Sequence, residues 1–90
     1  VTISEFGRRV RENDNYGLDH GHGNVMFLLG GGVKGGYFGK WTRLQSGLDA
    51  DVPVTTDYRS VLAEVVSKRL RASIPTVFPG FSPQKVGAMR

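Results

Sequence analysis

Cysteine is absent from these 90 residues, which removes disulfides and thiolate metal sites and leaves the redox compartment open. Long apolar runs are missing too. The longest, Val25-Met26-Phe27-Leu28-Leu29, falls far short of the ~20 residues of a membrane span, so none is expected. Apolar residues make up only 39% of the chain. That is little for a domain building its own core, since one of this size buries a little over ~60% of its unfolded surface. Nor is charge of one sign concentrated. The formal charge is +4 and the isoelectric point about 9.9. Arg8, Arg9 and Arg11 stand near the start, whereas Lys68, Arg69 and Arg71 close a helix, where cations complement its dipole. So scattered a pattern is no nucleic-acid footprint, and no nucleic-acid partner is expected. The chain opens on Val1 and passes straight into an apolar, β-prone run. This reading expects further sequence upstream of residue 1, with the remainder of the same domain as the chain's first partner.

Glycine, by contrast, is plentiful, at 13 residues. It loses the most backbone entropy on ordering, so it marks turns and close approaches. The apolar start predicts a strand near 1–4. Glu5 to Leu18 is polar, with Asn13-Asp14-Asn15 and Gly17 as breakers. Residues 25–29, bounded by glycines on both sides, predict a second strand buried on both faces. Residues 30–41, with Tyr37, Phe38 and Trp41 among glycines, predict an irregular hairpin or an edge extension. Gln45 to Pro53 reads as a loop holding Asp49 and Asp51. An amphipathic helix is predicted near 57–71, because Tyr58, Val61, Leu62, Val65, Val66 and Leu70 fall on one stripe. Thr55 or Thr56 can cap it, Asp57 suits its first turn, and Pro75 forbids its continuation. The tail from Ile74 reads as extended chain, with Val77, Phe78 and Phe81 between prolines. Neither an internal repeat nor a second domain is visible.

Two segments carry most of the chemistry. Asp19-His20-Gly21-His22-Gly23-Asn24 holds both histidines of the chain, and imidazole with carboxylate suits zinc, manganese or iron. If the segment is extended, His20 and His22 share a face. The same residues also make an ordinary turn with exposed histidines, and they fall one ligand short of a tetrahedral set. Ser4-Glu5-Phe6-Gly7-Arg8-Arg9 follows the first predicted strand, where open α/β sheets bind ligands. Glu5 is a candidate ligand or proton acceptor, and Arg8 a fork for phosphate or sulfate. A plain Glu–Arg pair at a strand end is the simpler account of those two. Arg59 is a lesser candidate, more simply a solvated helix arginine.

Gly30-Gly31-Gly32-Val33-Lys34-Gly35 satisfies the spacing of a dinucleotide fingerprint. The mechanism needs a helix N-terminus directly afterwards, and Gly36-Tyr37-Phe38-Gly39-Lys40-Trp41 is a poor helix start. Turn-making glycines explain the run better.

Four motifs in order resemble the C-terminal part of domain-of-unknown-function family 1501. They are Ser4-Glu5-Phe6-Gly7-Arg8, Asp19-His20-Gly21, Phe27-Leu28-Leu29-Gly30-Gly31-Gly32-Val33-Lys34-Gly35-Gly36 and Thr56-Asp57-Tyr58-Arg59. The resemblance extends towards the Phe78-Pro79-Gly80-Phe81 tail. It implies an α/β fold: the C-terminal fragment of an alkaline-phosphatase-like parallel sheet, in a sulfatase-like bacterial family often exported by the twin-arginine route. An exported or periplasmic location follows from the resemblance alone. So does a divalent metal (zinc, manganese or calcium) acting on a small anionic ester. Asp19 and His20 are then the metal candidates, with His22 ranked below His20 because only its spacing nominates it, and Glu5 and Arg8 are the catalytic ones. By position Glu5-Phe6 stands where the superfamily has an Asp-His pair, and His20 where it has a later histidine. Phe6 cannot bind metal. Two readings result: part of a sulfatase-like or phosphatase-like hydrolase whose nucleophile lies upstream, inactive as this segment alone, or a non-catalytic exported binding or structural protein on the same fold.

Overall fold

The computed structural model describes residues 1–44 and 50–90. Asp49 and most of the predicted loop at 45–53 therefore lie outside the described residues. Among the described residues four elements occur in order: β1 (Gly7–Glu12), β2 (Leu18–Gly21), α1 (Tyr58–Arg69) and α2 (Ile74–Val77). The chain divides into two compact units, residues 1–28 with 40–55, and residues 29–39 with 56–90.

The first unit is organised by an antiparallel hairpin. Asn13 builds its turn. The Asn13 side-chain oxygen accepts from the N–H groups of Asn15 (2.9 Å) and Gly17 (3.1 Å), an Asx-type arrangement that leaves Tyr16 at φ 61°. The register pairs Gly7 with Gly21, Arg8 with His20 and Glu12 with Leu18, with an irregularity between Arg8 and Glu12. The far edge of β1 is also occupied. Val10 N–H donates to the Ala50 carbonyl (3.0 Å), Val52 N–H donates to that of Arg8 (3.4 Å), and Arg9 bridges Asp51. Glycine permits this crowding, because a Cβ on Gly7 would overlap the Gly23 backbone and one on Gly23 the Val52 backbone.

A mixed α and β content is thus present, but the strands differ from expectation. The described sheet is two-stranded and antiparallel, at 7–12 and 18–21 rather than 1–4 and 25–29. The two predicted segments do meet. Thr2 N–H donates to the Phe27 carbonyl (2.9 Å), and Phe27 N–H donates to the Thr2 hydroxyl (2.8 Å), which is short of a ladder. Val25 and Phe27 are 70% and 62% exposed, not buried. Burial of both faces requires a layer above and below, and the described part of this unit supplies neither.

In the second unit α1 packs against the C-terminal tail, burying Ser60, Val61 and Ala63 with Ala88 and Met89. The predicted stripe is only half covered, with Tyr58 and Leu70 exposed, because the tail lies against the Ser60–Ala63–Glu64 side. Asp57, rather than Thr55 or Thr56, is the N-cap and accepts from Arg59 N–H at 2.9 Å. The Arg59 guanidinium folds back on the same carboxylate at 2.7 Å and lowers its pKa through that bond. Asp57→Ala should cost roughly 1 kcal/mol, a normal loss for a removed cap. Helical circular dichroism along a urea titration would show it, and an unmoved midpoint would refute the capping role. α1 ends where Arg71 takes φ 51° and Ala72 N–H reaches back to the Val66 carbonyl (3.0 Å). Pro75 does not keep the tail extended. It sits in the first turn of α2, where its missing N–H is no loss. The predicted hairpin at 30–41 is absent as well. Gly30 to Val33 form a turn, and Val33 then bridges Met89 instead of a partner within the segment. Among the described residues no helix follows the glycine run before α1.

Candidate functional site

The hairpin carries the candidate residues of the first unit. Phe6 leads into β1 and stacks its ring on His20, with centroids 3.7 Å apart and planes at 18°. The Arg8 guanidinium lies 4.9 Å from the Phe6 centroid, and its Nη1 donates to the Leu18 carbonyl at 2.7 Å. A guanidinium and an imidazole therefore share one aromatic platform. The direct Arg8–His20 register pairing across the sheet puts them there. Glu5, just before this platform, is exposed.

Asp19 alternates to the opposite side of β2 from His20, as the strand period requires. Its Oδ1 accepts from the Asn13 side-chain amide at 3.0 Å, so it ties the turn to the strand. His22, just past the end of β2, has a different partner. Its Nδ1 lies 2.6 Å from Asp51 Oδ2, and its backbone N–H donates to both Asp51 oxygens at 2.9 and 3.0 Å. These bonds from His22 hold the Asp51 carboxyl below its ordinary pKa of 3.8, against a smaller opposing effect of burial. The carboxylate can come this close because Gly21 has no Cβ, which would overlap Asp51 Oδ1. The His22 side chain is 86% exposed and that of Asp51 29%, so the pair faces outward.

The structure thus brings Arg8 and His20 together through Phe6 and gives His22 a carboxylate, while Asp19 serves the turn. Among the described residues no three of the His, Asp and Glu side chains converge as a metal site. Asp19, His20 and His22 are instead each engaged with a different partner: the Asn13 amide, the Phe6 ring and the Asp51 carboxylate. Asp51 escaped sequence reasoning as a site residue because it stands 29 positions from its partner. The one available signal was its place in a loop beside Pro53.

Residues 1–66 match the family described as protein of unknown function (DUF1501). The resemblance expected as far as Phe81 is therefore matched through the platform, the His22–Asp51 pair and most of α1. No curated protein and no solved structure matches the chain.

Proposed function

The chain belongs to the DUF1501 family of proteins of unknown function, and on that footing we propose that it forms part of a sulfatase-like or phosphatase-like hydrolase. The observation that carries this reading is the Arg8–Phe6–His20 stack, within the span that matches the family. A guanidinium held over a ring keeps its donors in the plane that a sulfate or phosphate oxygen approaches, and an imidazole beside it suits the same charge. Glu5 stands next to the platform as a candidate proton acceptor. Asp19, His20 and His22 are the candidate donors to a divalent metal (zinc, manganese or calcium), which when bound would polarise the ester. The nucleophile and the rest of the sheet, including its parallel strands, belong to the part of the domain upstream of residue 1 in this reading. An exported or periplasmic setting goes with the sulfatase-like placement.

The alternative is a non-catalytic exported binding protein on the same fold, and the filling of a ligand position by Phe6, stacked on His20, favours it. Hydrolysis assays separate the two. The intact protein should turn over aryl sulfates or phosphates with added divalent metal, lose that activity to chelator, and lose at least tenfold in kcat/KM on Arg8→Ala. Absence of turnover across both ester classes and all three metals would defeat the hydrolase reading.

A further inference from the structure

Between Asp19 and Asp49 the sequence holds no acidic residue. Within that stretch residues 34–44 carry three cations, Lys34, Lys40 and Arg43, and three aromatic rings, Tyr37, Phe38 and Trp41. All six residues are exposed, Tyr37 fully and Trp41 by 85%. The segment forms neither helix nor strand. Gly35, Gly36 and Gly39 take φ of 78°, 119° and 124°, backbone that other residues avoid, so the irregular path on either side of Tyr37 and Phe38 is written into glycine. Three rings left in water within five residues is a large apolar exposure for so short a stretch. Tyrosine and tryptophan join an apolar body to a polar tip, which suits them to the headgroup level of a bilayer. Lysine and arginine beside them add attraction to anionic lipid.

We infer that residues 34–44 dock the protein on an anionic phospholipid surface. The rings of Tyr37, Phe38 and Trp41 enter the headgroup layer, and Lys34, Lys40 and Arg43 meet lipid phosphates. The inference goes beyond the ester chemistry above and does not depend on it. Charge complementarity selects the occupant, since a run with three cations and no carboxylate repels no part of an anionic surface. A bilayer also requires no preformed patch, so side chains contiguous in the chain suffice. Irregular backbone cannot enter the hydrocarbon, where its N–H and C=O groups go unpaired, so the contact stays at the surface. Val25 and Phe27 are exposed as well, but no cation lies between Arg11 and Lys34, and they carry no such signature.

Cosedimentation of the intact protein with vesicles of phosphatidylcholine alone, or mixed equally with phosphatidylglycerol, tests this. Binding should require phosphatidylglycerol and weaken with salt. Affinity should fall about fivefold for Lys34→Gln or Lys40→Gln alone and about 25-fold for both. Arg71→Gln with Lys85→Gln removes the same charge from two other exposed positions and should leave affinity almost unchanged. The emission that Trp41→Phe removes belongs to Trp41, and on anionic vesicles it should shift to the blue and be quenched by brominated lipid. Failure to sediment with phosphatidylglycerol vesicles would overturn the inference. Trp41 emission that keeps its aqueous wavelength on vesicles that do sediment the protein, or equal losses in the two double variants, would also overturn it. Tighter binding to single-stranded DNA, on which the same rings stack and the same cations pair, would replace the lipid with a nucleic acid.

Discussion

Gly7→Ala should disrupt the strand pairing under the candidate site, at a cost of about 3 kcal/mol, the upper end for an overpacked position. The added methyl would meet the carbonyl oxygen, carbon and nitrogen of Gly23, all of them main chain. Main chain cannot rotate aside as a flexible side chain does, so relief requires β1 to move away from residues 21–23. That movement would break the Arg8 N–H bond to the Gly23 carbonyl, now 3.3 Å, and carry Phe6 off His20. Gly23→Ala should do the same from the opposite side, against the Val52 carbonyl. Gly17→Ala is the control. Its nearest neighbour is the Asn13 side-chain oxygen at 3.9 Å, ordinary contact distance. Thermal melts of the three variants, with amide exchange at Arg8 and Val10, check the contrast. Equal melting temperatures for Gly7→Ala and Gly17→Ala would mean that β1 and residue 23 do not lie this close.

The glycines were visible in the sequence, but their purpose was legible only in part. Gly30 to Gly36 announced a turn, and the turn is there. Gly7, Gly21 and Gly23 sit beside charged and polar residues, where nothing in the spacing says that three chain segments converge. Strand β1 was hidden for a related reason. Its sequence, Gly-Arg-Arg-Val-Arg-Glu, has one apolar residue and no alternation, so it lacks the signal of a half-buried strand. It forms because Asn13 closes the turn and because both of its edges find main-chain partners. The apolar runs misled in the opposite sense. Residues 1–4 and 25–29 have strand composition, but composition becomes a ladder only where neighbours extend it. The helix was the most legible element, since its period requires no partner to be recognised. Even there the covered side was decided by Glu64 and Ser60, polar residues that a hydrophobic stripe ignores. The candidate site divides likewise. His20 and Arg8 could be nominated from residue type, whereas Asp51 could not, because a pair made by folding leaves no local pattern.

Glu64→Ala should be the most damaging change in the second unit, lowering its stability by about 3 kcal/mol. One carboxylate accepts from three successive backbone N–H groups, those of Val86, Gly87 (2.7 Å) and Ala88 (3.0 Å). Gly87 makes this cradle by adopting φ 82°, which turns neighbouring amides towards one point. Ser60 Oγ accepts from Gln84 N–H (3.1 Å) and Lys68 Nζ donates to the Met89 carbonyl (3.2 Å), so α1 grips the tail at three levels. The tail in turn places Ala88 and Met89 against Val61 and Ala63, and losing the carboxylate would uncover that small core. Partial burial acts to raise the Glu64 pKa, but the amides of Gly87, Val86, Ala88 and Met89 outweigh it and hold it below the ordinary 4.5. The sign of the pH effect follows. A carboxyl with a depressed folded pKa contributes fully above its unfolded value and loses that contribution as pH falls through the folded one. Stability of this unit should therefore decline as pH drops below about 4.5, while Glu64→Ala should show a flatter profile there. Amide exchange at Val86, Gly87 and Ala88 gives the local measurement. All three should exchange faster in Glu64→Ala at neutral pH, whereas Glu64→Gln, which retains one acceptor oxygen, should protect them in part. Exchange at these amides indifferent to both substitutions would show that the tail is held by its apolar contacts alone.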